Sequence, residues 1–151
     1  MFPKNEILLY NLTNEKIPPK RFFQELINEI LVILKEKDKV SLSLVFITPQ
    51  SIRQLNKFWR HKNKTTTVLS FSLTENLPLG LRGEKKSLGD IFLCPWQIKS
   101  QAQKLNIPLI SLYRKLIIHS LLHLYGYDHS QIETRQKMER LEDKIFRLVN
   151  K

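Results

Sequence analysis

Residues 109–125, LISLYRKLIIHSLLHLY, form a long apolar stretch that must be buried in the core of the folded chain. Its apolar residues recur throughout, and the charged side chains are confined to Arg114 and Lys115. This pattern predicts a long central helix. Gly126 follows directly and predicts the point at which that helix ends.

The rest of the chain alternates between strand and helix patterns. Strands are predicted at 6–13, 40–48, 67–73 and 90–94. Helices are predicted at 18–38, from the N-cap Thr48 to about Trp59, at 95–106, and from residue 131 onward, after a capping box of Ser130 and Glu133. Residues 75–89 contain Pro78, Gly80 and Gly83 and are predicted to be a loop.

Four strands and about five helices predict an α+β fold. We expect one domain over residues 1–151, with a mixed sheet covered by helices and a metal site at the end of the central helix. The sequence pattern does not give the order of the strands.

The composition indicates the cellular compartment of the protein and the charge of its partner. Cys94 is the single cysteine, which excludes an internal disulfide framework and fits a reducing cytosol. We see neither a signal peptide nor a membrane span, so a soluble, cytoplasmic protein is expected. Lysine and arginine total 25 against 14 acidic residues, and the net charge of +11 favours a polyanion such as nucleic acid, or an anionic membrane surface.

Three of the four histidines lie in the segment HSLLHLYGYDH, residues 119–129. His119 and His123 are four residues apart and therefore share one helix face, and a turn at Gly126 can return the chain so that His129 joins them. Three converging imidazoles suit one zinc ion. Two alternatives stay open: three unrelated histidines, or a structural zinc with Cys94 as fourth ligand.

The same histidine spacing occurs in metzincin metallopeptidases, which need a glutamate directly after the first histidine as general base. Here that position is Ser120, whose hydroxyl cannot take up a proton near neutral pH. A peptidase is therefore disfavoured. An open three-histidine zinc still lowers the pKa of water to about 7 and polarises phosphoryl oxygens, which points to phosphodiester chemistry. Asp128 is a candidate to orient a histidine or accept a proton, or else it only forms the turn.

A second informative segment is QLNKFWRHKNKTTTVLSFS, residues 54–72. It places Arg60, Lys62 and Lys64 in a turn between a helix and a strand, where they are suited to bind phosphate. A solvated surface loop is the alternative.

Together with LGDIFLCP at residues 88–95, these two segments resemble the YbeY family of bacterial endoribonucleases and rRNA maturation factors. The resemblance covers about residues 40–130. It implies that His119, His123 and His129 bind zinc and that Arg60 is needed for activity in a groove for single-stranded RNA. Ser120 stands where the family usually has glycine, and Thr67 where it commonly has aspartate or asparagine.

The resemblance implies a zinc-dependent endoribonuclease that matures the 3′ end of 16S rRNA and acts in ribosome quality control. Its expected partners are single-stranded RNA, the 16S rRNA precursor and the ribosome or its small subunit, and we expect a monomer. Two other functions remain open: an RNA- or ribosome-binding assembly factor with a structural zinc, and a metal hydrolase acting on another phosphoester or amide.

Overall fold

The computed structural model describes residues 5–73 and 86–150. Along the chain the elements are β1 (Glu6–Asn11), α1 (Lys20–Ile33), β2 (Val40–Phe46), α2 (Pro49–Arg60), β3 (Val68–Ser72), β4 (Lys86–Leu93), α3 (Pro95–Leu105), α4 (Leu109–Leu124) and α5 (Ile132–Val149). The predicted α+β fold, with four strands and five helices in the described residues, is confirmed.

The four strands form one mixed sheet in the order β1-β2-β4-β3. β1 and β4 both run parallel to β2, whereas β3 pairs antiparallel with β4 and forms an edge of the sheet. In β2, buried and half-buried residues alternate, as expected when one sheet face is covered more completely than the other. This topology places β3 at the edge beside α2 and α4, both of which contact it.

Two hydrophobic clusters lie on opposite faces of the sheet. The main core joins β2 and β4 to α1, α3, α4 and α5. The smaller cluster contains Ile47, Ile52, Leu69 and Cys94, with Val45 and Phe92 packed against it. Because successive side chains of a strand point to opposite faces, Val45 and Phe92 lie across the sheet from Leu44 and Ile91 of the main core. Helix α2 covers this second face.

Helix α4 crosses the main core, and eight of its sixteen residues are buried. Its predicted end is confirmed, because Tyr125 is the C-cap and Gly126 adopts a φ of 95°. Among the described residues no helix combines the length and apolar character that a bilayer crossing requires.

The predicted loop before β4 is wrong at its C-terminal end. Strand β4 begins at Lys86 and includes Gly89, whereas residues 74–85 lie outside the described part of the chain. Gly89 has a φ of 137°, and a Cβ added there would lie 2.0 Å from the backbone oxygen of Phe71. The glycine therefore permits close contact between β3 and β4, and is not a loop residue.

Two helix ends also differ from the prediction. Helix α1 ends at Ile33 because Lys35 turns into the left-handed region, with a φ of 59°, and its N–H donates to the oxygen of Val32. The N-cap of α5 is Gln131 rather than Ser130, and its N–H donates to Thr134 Oγ1 at 3.2 Å. The predicted capping box of Ser130 and Glu133 is therefore wrong.

Candidate metal centre and cationic cleft

His119 and His123 lie in the last two turns of α4, on the side that is half-buried. Their Nε2 atoms are 3.0 Å apart. Zn–N bonds of about 2.0–2.1 Å in tetrahedral geometry place two nitrogen ligands about 3.3–3.4 Å apart. The Nε2 pair is thus close to the spacing that one zinc ion requires.

The turn after α4 brings the third imidazole to this pair. Gly126 N donates to His123 O, and Tyr127 N donates to Leu122 O, which together form a Schellman motif. His129 then stacks on His119, with ring centroids 5.1 Å apart and planes inclined by 22°. One ligand atom from each of the three histidines lies within 4.8 Å of the other two, so the group could hold one metal ion.

The carboxylate of Glu142 contacts the opposite side of the His119 ring. Glu142 belongs to α5, and its Oε1 lies 3.1 Å from His119 Nδ1. A carboxylate on Nδ1 fixes the tautomer in which Nε2 carries the free lone pair and so faces the metal. Sequence reasoning missed Glu142, because which of the acidic residues of α5 faces α4 depends on how the two helices pack.

Protonation of His123 opposes metal binding only in acid. Burial, reinforced by the charges of His119 and His129, lowers the pKa of His123 to about 4. The neutral imidazole is the form that binds metal. At neutral pH, therefore, the proton does not compete for this nitrogen.

The cationic turn shares a cavity with the histidines. Arg60, Lys62 and Lys64 line a cavity of about 240 Å³ together with His119 and His123. One guanidinium nitrogen of Arg60 donates to the backbone oxygen of Ser70 in edge strand β3, at 3.3 Å. The structure thus brings the two sequence motifs together, with positive charge on one side and the imidazoles on the other.

Two side chains of α2 hold this turn in place. Asn56 is buried, and its Nδ2 donates to Lys64 O at 3.0 Å while its backbone oxygen accepts from Lys62 N. Arg53 Nε donates to Asn63 Oδ1 at 2.9 Å. Sequence reasoning missed Asn56 and Arg53, although an asparagine on the buried side of a predicted helix was an available signal.

A family model described as Endoribonuclease YbeY matches residues 9–150. Endoribonuclease YbeY of Phytoplasma australiense is 39% identical over 145 residues, which cover 96% of each chain. The chain belongs to the YbeY endoribonuclease family. A second YbeY relative, from Persephonella marina, is 34% identical and covers 94% of this chain and 91% of its own.

A solved structure supports the fold of this YbeY-family chain. The solution structure of TM1509 from Thermotoga maritima covers 93% of this chain and 89% of its own, with a TM-score of 0.57. The sequences are 22% identical, so this likeness bears on the fold alone.

The two departures from the YbeY pattern lie at the margins of the site. Ser120 is fully buried between the two ligand-bearing positions of α4, and among the described residues its hydroxyl has no hydrogen-bond partner. Thr67 precedes β3, and its backbone oxygen accepts from Cys94 N at 3.0 Å. The three histidines still converge with serine at position 120.

Among the described residues, Asp128 and Cys94 are not members of the group that could hold a metal. Asp128 Oδ1 accepts hydrogen bonds from the hydroxyl and the N–H of Ser130, and these bonds lower the pKa of the carboxyl. Cys94 is fully buried in the smaller hydrophobic cluster. Among residues 5–73 and 86–150, the group that could hold a metal contains the three histidines and not Cys94.

Proposed function

We propose that this protein is a zinc-dependent endoribonuclease that cuts single-stranded RNA. One observation carries the proposal: two imidazoles of the three-histidine group, those of His119 and His123, line one cavity with Arg60. Membership of the endoribonuclease family supports RNA as the substrate. The +11 net charge is complementary to that polyanion.

His119, His123 and His129 would hold the ion, with His119 oriented by Glu142. In the described part of the chain no fourth protein ligand joins the three histidines, which leaves one position open, as in catalytic rather than structural zinc sites. A bound zinc supplies Lewis acidity, which acidifies water and withdraws charge from a phosphoryl oxygen. The assembly-factor alternative requires Cys94 to close the site, and the burial of Cys94 in the smaller cluster does not favour it.

Arg60 would bind the phosphate that is cleaved. Its contact with Ser70 O occupies one donor and leaves the others of the guanidinium fork for a phosphate in the cavity. Positive charge held there offsets the negative charge that develops during cleavage. Lys62 and Lys64, fixed by Asn56, would bind neighbouring phosphates of the RNA chain.

We propose that Asp128 stabilises the turn that carries His129. Two hydrogen bonds from Ser130 stabilise its ionised form, so the carboxylate is a weaker proton acceptor than an ordinary aspartate. It lies between the Schellman motif and His129, and would hold the backbone that carries the third ligand. Its predicted catalytic role stays a prediction.

The proposed biological substrate is the precursor of 16S rRNA, at its 3′ end, on the ribosome or its small subunit. The test is cleavage of a labelled 3′ fragment of that precursor by the purified protein, with and without a chelator. We expect cleavage by the zinc-loaded protein, its loss on chelation, and recovery when zinc is added back. Zinc-loaded protein that binds the fragment without cutting it would favour the assembly-factor function instead.

Removing the carboxylate beside His119 is expected to weaken metal binding. Loss of an outer partner of a ligating histidine typically costs about 10- to 100-fold in metal affinity. We therefore expect Glu142→Ala to bind zinc about 10- to 100-fold more weakly, and Glu142→Gln to lose less because its amide oxygen still accepts. Competition with a coloured chelator measures this affinity.

The matched control for this experiment is Glu139→Gln. Glu139 lies on the same helix but is exposed and outside the histidine group. Its substitution should leave zinc affinity unchanged. Equal affinities in Glu142→Ala and the wild type would exclude an orienting role for Glu142.

A further inference from the structure

Two large aromatic side chains are exposed in the last turn of α2, directly before Arg60. Phe58 is 72% exposed and Trp59 is 59% exposed. Their ring centroids are 5.0 Å apart with planes inclined by 80°. Single exposed apolar residues are common, but contiguous exposed apolar surface often marks an interaction site.

The rings are supported from beneath by the sheet. The Trp59 centroid lies 6.0 Å from that of Phe71 in β3, which in turn lies 5.7 Å from that of Phe92 in β4. These edge-to-face contacts fix the position of the indole while leaving more than half of Trp59 accessible. The indole of Trp59 therefore has a fixed orientation and presents an ordered apolar surface to solvent.

The aromatic pair directly precedes a residue that lines the cavity. Consecutive residues of a helix point about 100° apart and rise about 1.5 Å, so Arg60, Trp59 and Phe58 fan out around the end of α2. Arg60 lines the cavity with His119 and His123. Trp59 in turn contacts Phe71, whose neighbour Ser70 also lines the cavity, so Trp59 lies beside the cavity along both α2 and β3.

The charge around the pair identifies the chemistry of the ligand. Five cationic residues, Arg53, Lys57, Arg60, Lys62 and Lys64, belong to α2 or to the turn that follows it, and neither segment contains an acidic residue. Exposed aromatic rings set among positive charges suit a polyanion that also carries planar apolar groups. Single-stranded nucleic acid combines these properties, because its unpaired bases have free faces.

We propose that Trp59 and Phe58 form a stacking surface for the bases of the single-stranded RNA that enters the cavity at Arg60. The inference rests on the proposed function and adds to it the residues that recognise single-strandedness. Bases in a duplex are already stacked on their neighbours and offer these rings no free face. The surface thereby favours unpaired RNA over helical RNA at the point of cleavage.

Binding to a short single-stranded RNA, measured in chelator so that the RNA stays intact, tests the proposal. The variants are Phe58→Ala and Trp59→Leu, the latter keeping an apolar contact with Phe71 but no planar ring. Loss of one base–aromatic stack is expected to weaken binding about tenfold. Affinity for a sugar–phosphate oligomer of equal length without bases should not change, and Trp59→Phe should restore most of the RNA affinity.

The two tryptophans of the chain provide a direct readout and a matched control. Trp96 is 53% exposed, a fraction similar to that of Trp59, but lies at the start of α3 and not in the aromatic pair of α2. Trp96→Ala should therefore bind RNA like the wild type. In Trp96→Phe the remaining fluorescence comes from Trp59, and RNA should quench it whereas the oligomer without bases should not.

The outcomes separate this inference from the function on which it rests. If the wild type binds and cuts RNA while Phe58→Ala and Trp59→Leu bind it equally well, the stacking surface is excluded and the nuclease stands. The stacking surface would also be excluded if the two variants lost affinity equally for RNA and for the oligomer without bases. It would likewise be excluded if they lost association with the ribosome but kept their affinity for RNA. A wild type that neither binds nor cuts RNA would overturn both.

Discussion

The His123→Ala protein is expected to bind no zinc at micromolar concentrations and to show no metal-dependent RNA cleavage. His123 is half-buried, and its Nε2 lies 3.0 Å from that of His119, so it contributes one of three closely placed nitrogens. Without it, two imidazoles remain, too few for the three-ligand sites found in zinc enzymes. Zinc content by elemental analysis and cleavage of the precursor fragment are the two measurements.

His61 provides the matched control for that variant. It is the fourth histidine of the chain and caps α2 with a φ of 58°, outside the group that could hold a metal. His61→Asn removes an imidazole while tolerating the left-handed backbone, and should keep its zinc. A folded His123→Ala protein with full zinc content would refute the assignment of this ligand. Full zinc loss with undiminished cleavage would instead refute the metal-dependent mechanism.

The Arg60→Ala protein is expected to keep its zinc and to cleave RNA about 10²- to 10³-fold more slowly. This is the usual cost of removing one group that stabilises developing charge in a transition state. Arg60→Lys should recover only part of the rate, because an ammonium group cannot form the forked contact of a guanidinium with phosphate. Single-turnover cleavage at saturating RNA separates this loss from a loss of binding.

Arg140→Ala is the control for charge alone. Arg140 lies on the exposed face of α5, and its removal lowers the net charge by the same one unit. It should cleave at the wild-type rate. If Arg60→Ala also cleaved RNA at the wild-type rate, the guanidinium would have no part in cleavage. The cavity that it shares with the histidines would then not be evidence for the active site.

Several predictions that rest on signals local to a few turns of chain were confirmed, although the local capping box of Ser130 and Glu133 was wrong. The apolar run of α4, its stop at Gly126 and the i, i+4 spacing of the histidines depend on short-range geometry. The cap of α2 is of the same kind, since Thr48 Oγ1 accepts from Ser51 N as predicted. Such features follow from residue type and spacing without knowledge of the neighbouring elements.

The missed features depend on which elements meet in space. Gly89 was predicted to lie in a loop, but the oxygen of Phe71 on the neighbouring strand explains its conformation. Glu142 and Asn56 likewise acquire their roles through contacts with His119 and Lys64 on other elements. The strand order, which brings edge strand β3 beside α4, has no periodic signature in the sequence.

The contact between His119 and Glu142 also sets the order in which the centre can be completed. All three imidazoles precede α5 in the chain, but the carboxylate that orients the first of them arrives with that helix. Helix α5 docks through Met138, Ile145 and Val149, which are buried in the main core. A chain whose fifth helix has not yet packed therefore contains the three histidines but lacks the Glu142 contact that orients His119. The full set of groups at the centre is therefore assembled only once α5 has docked.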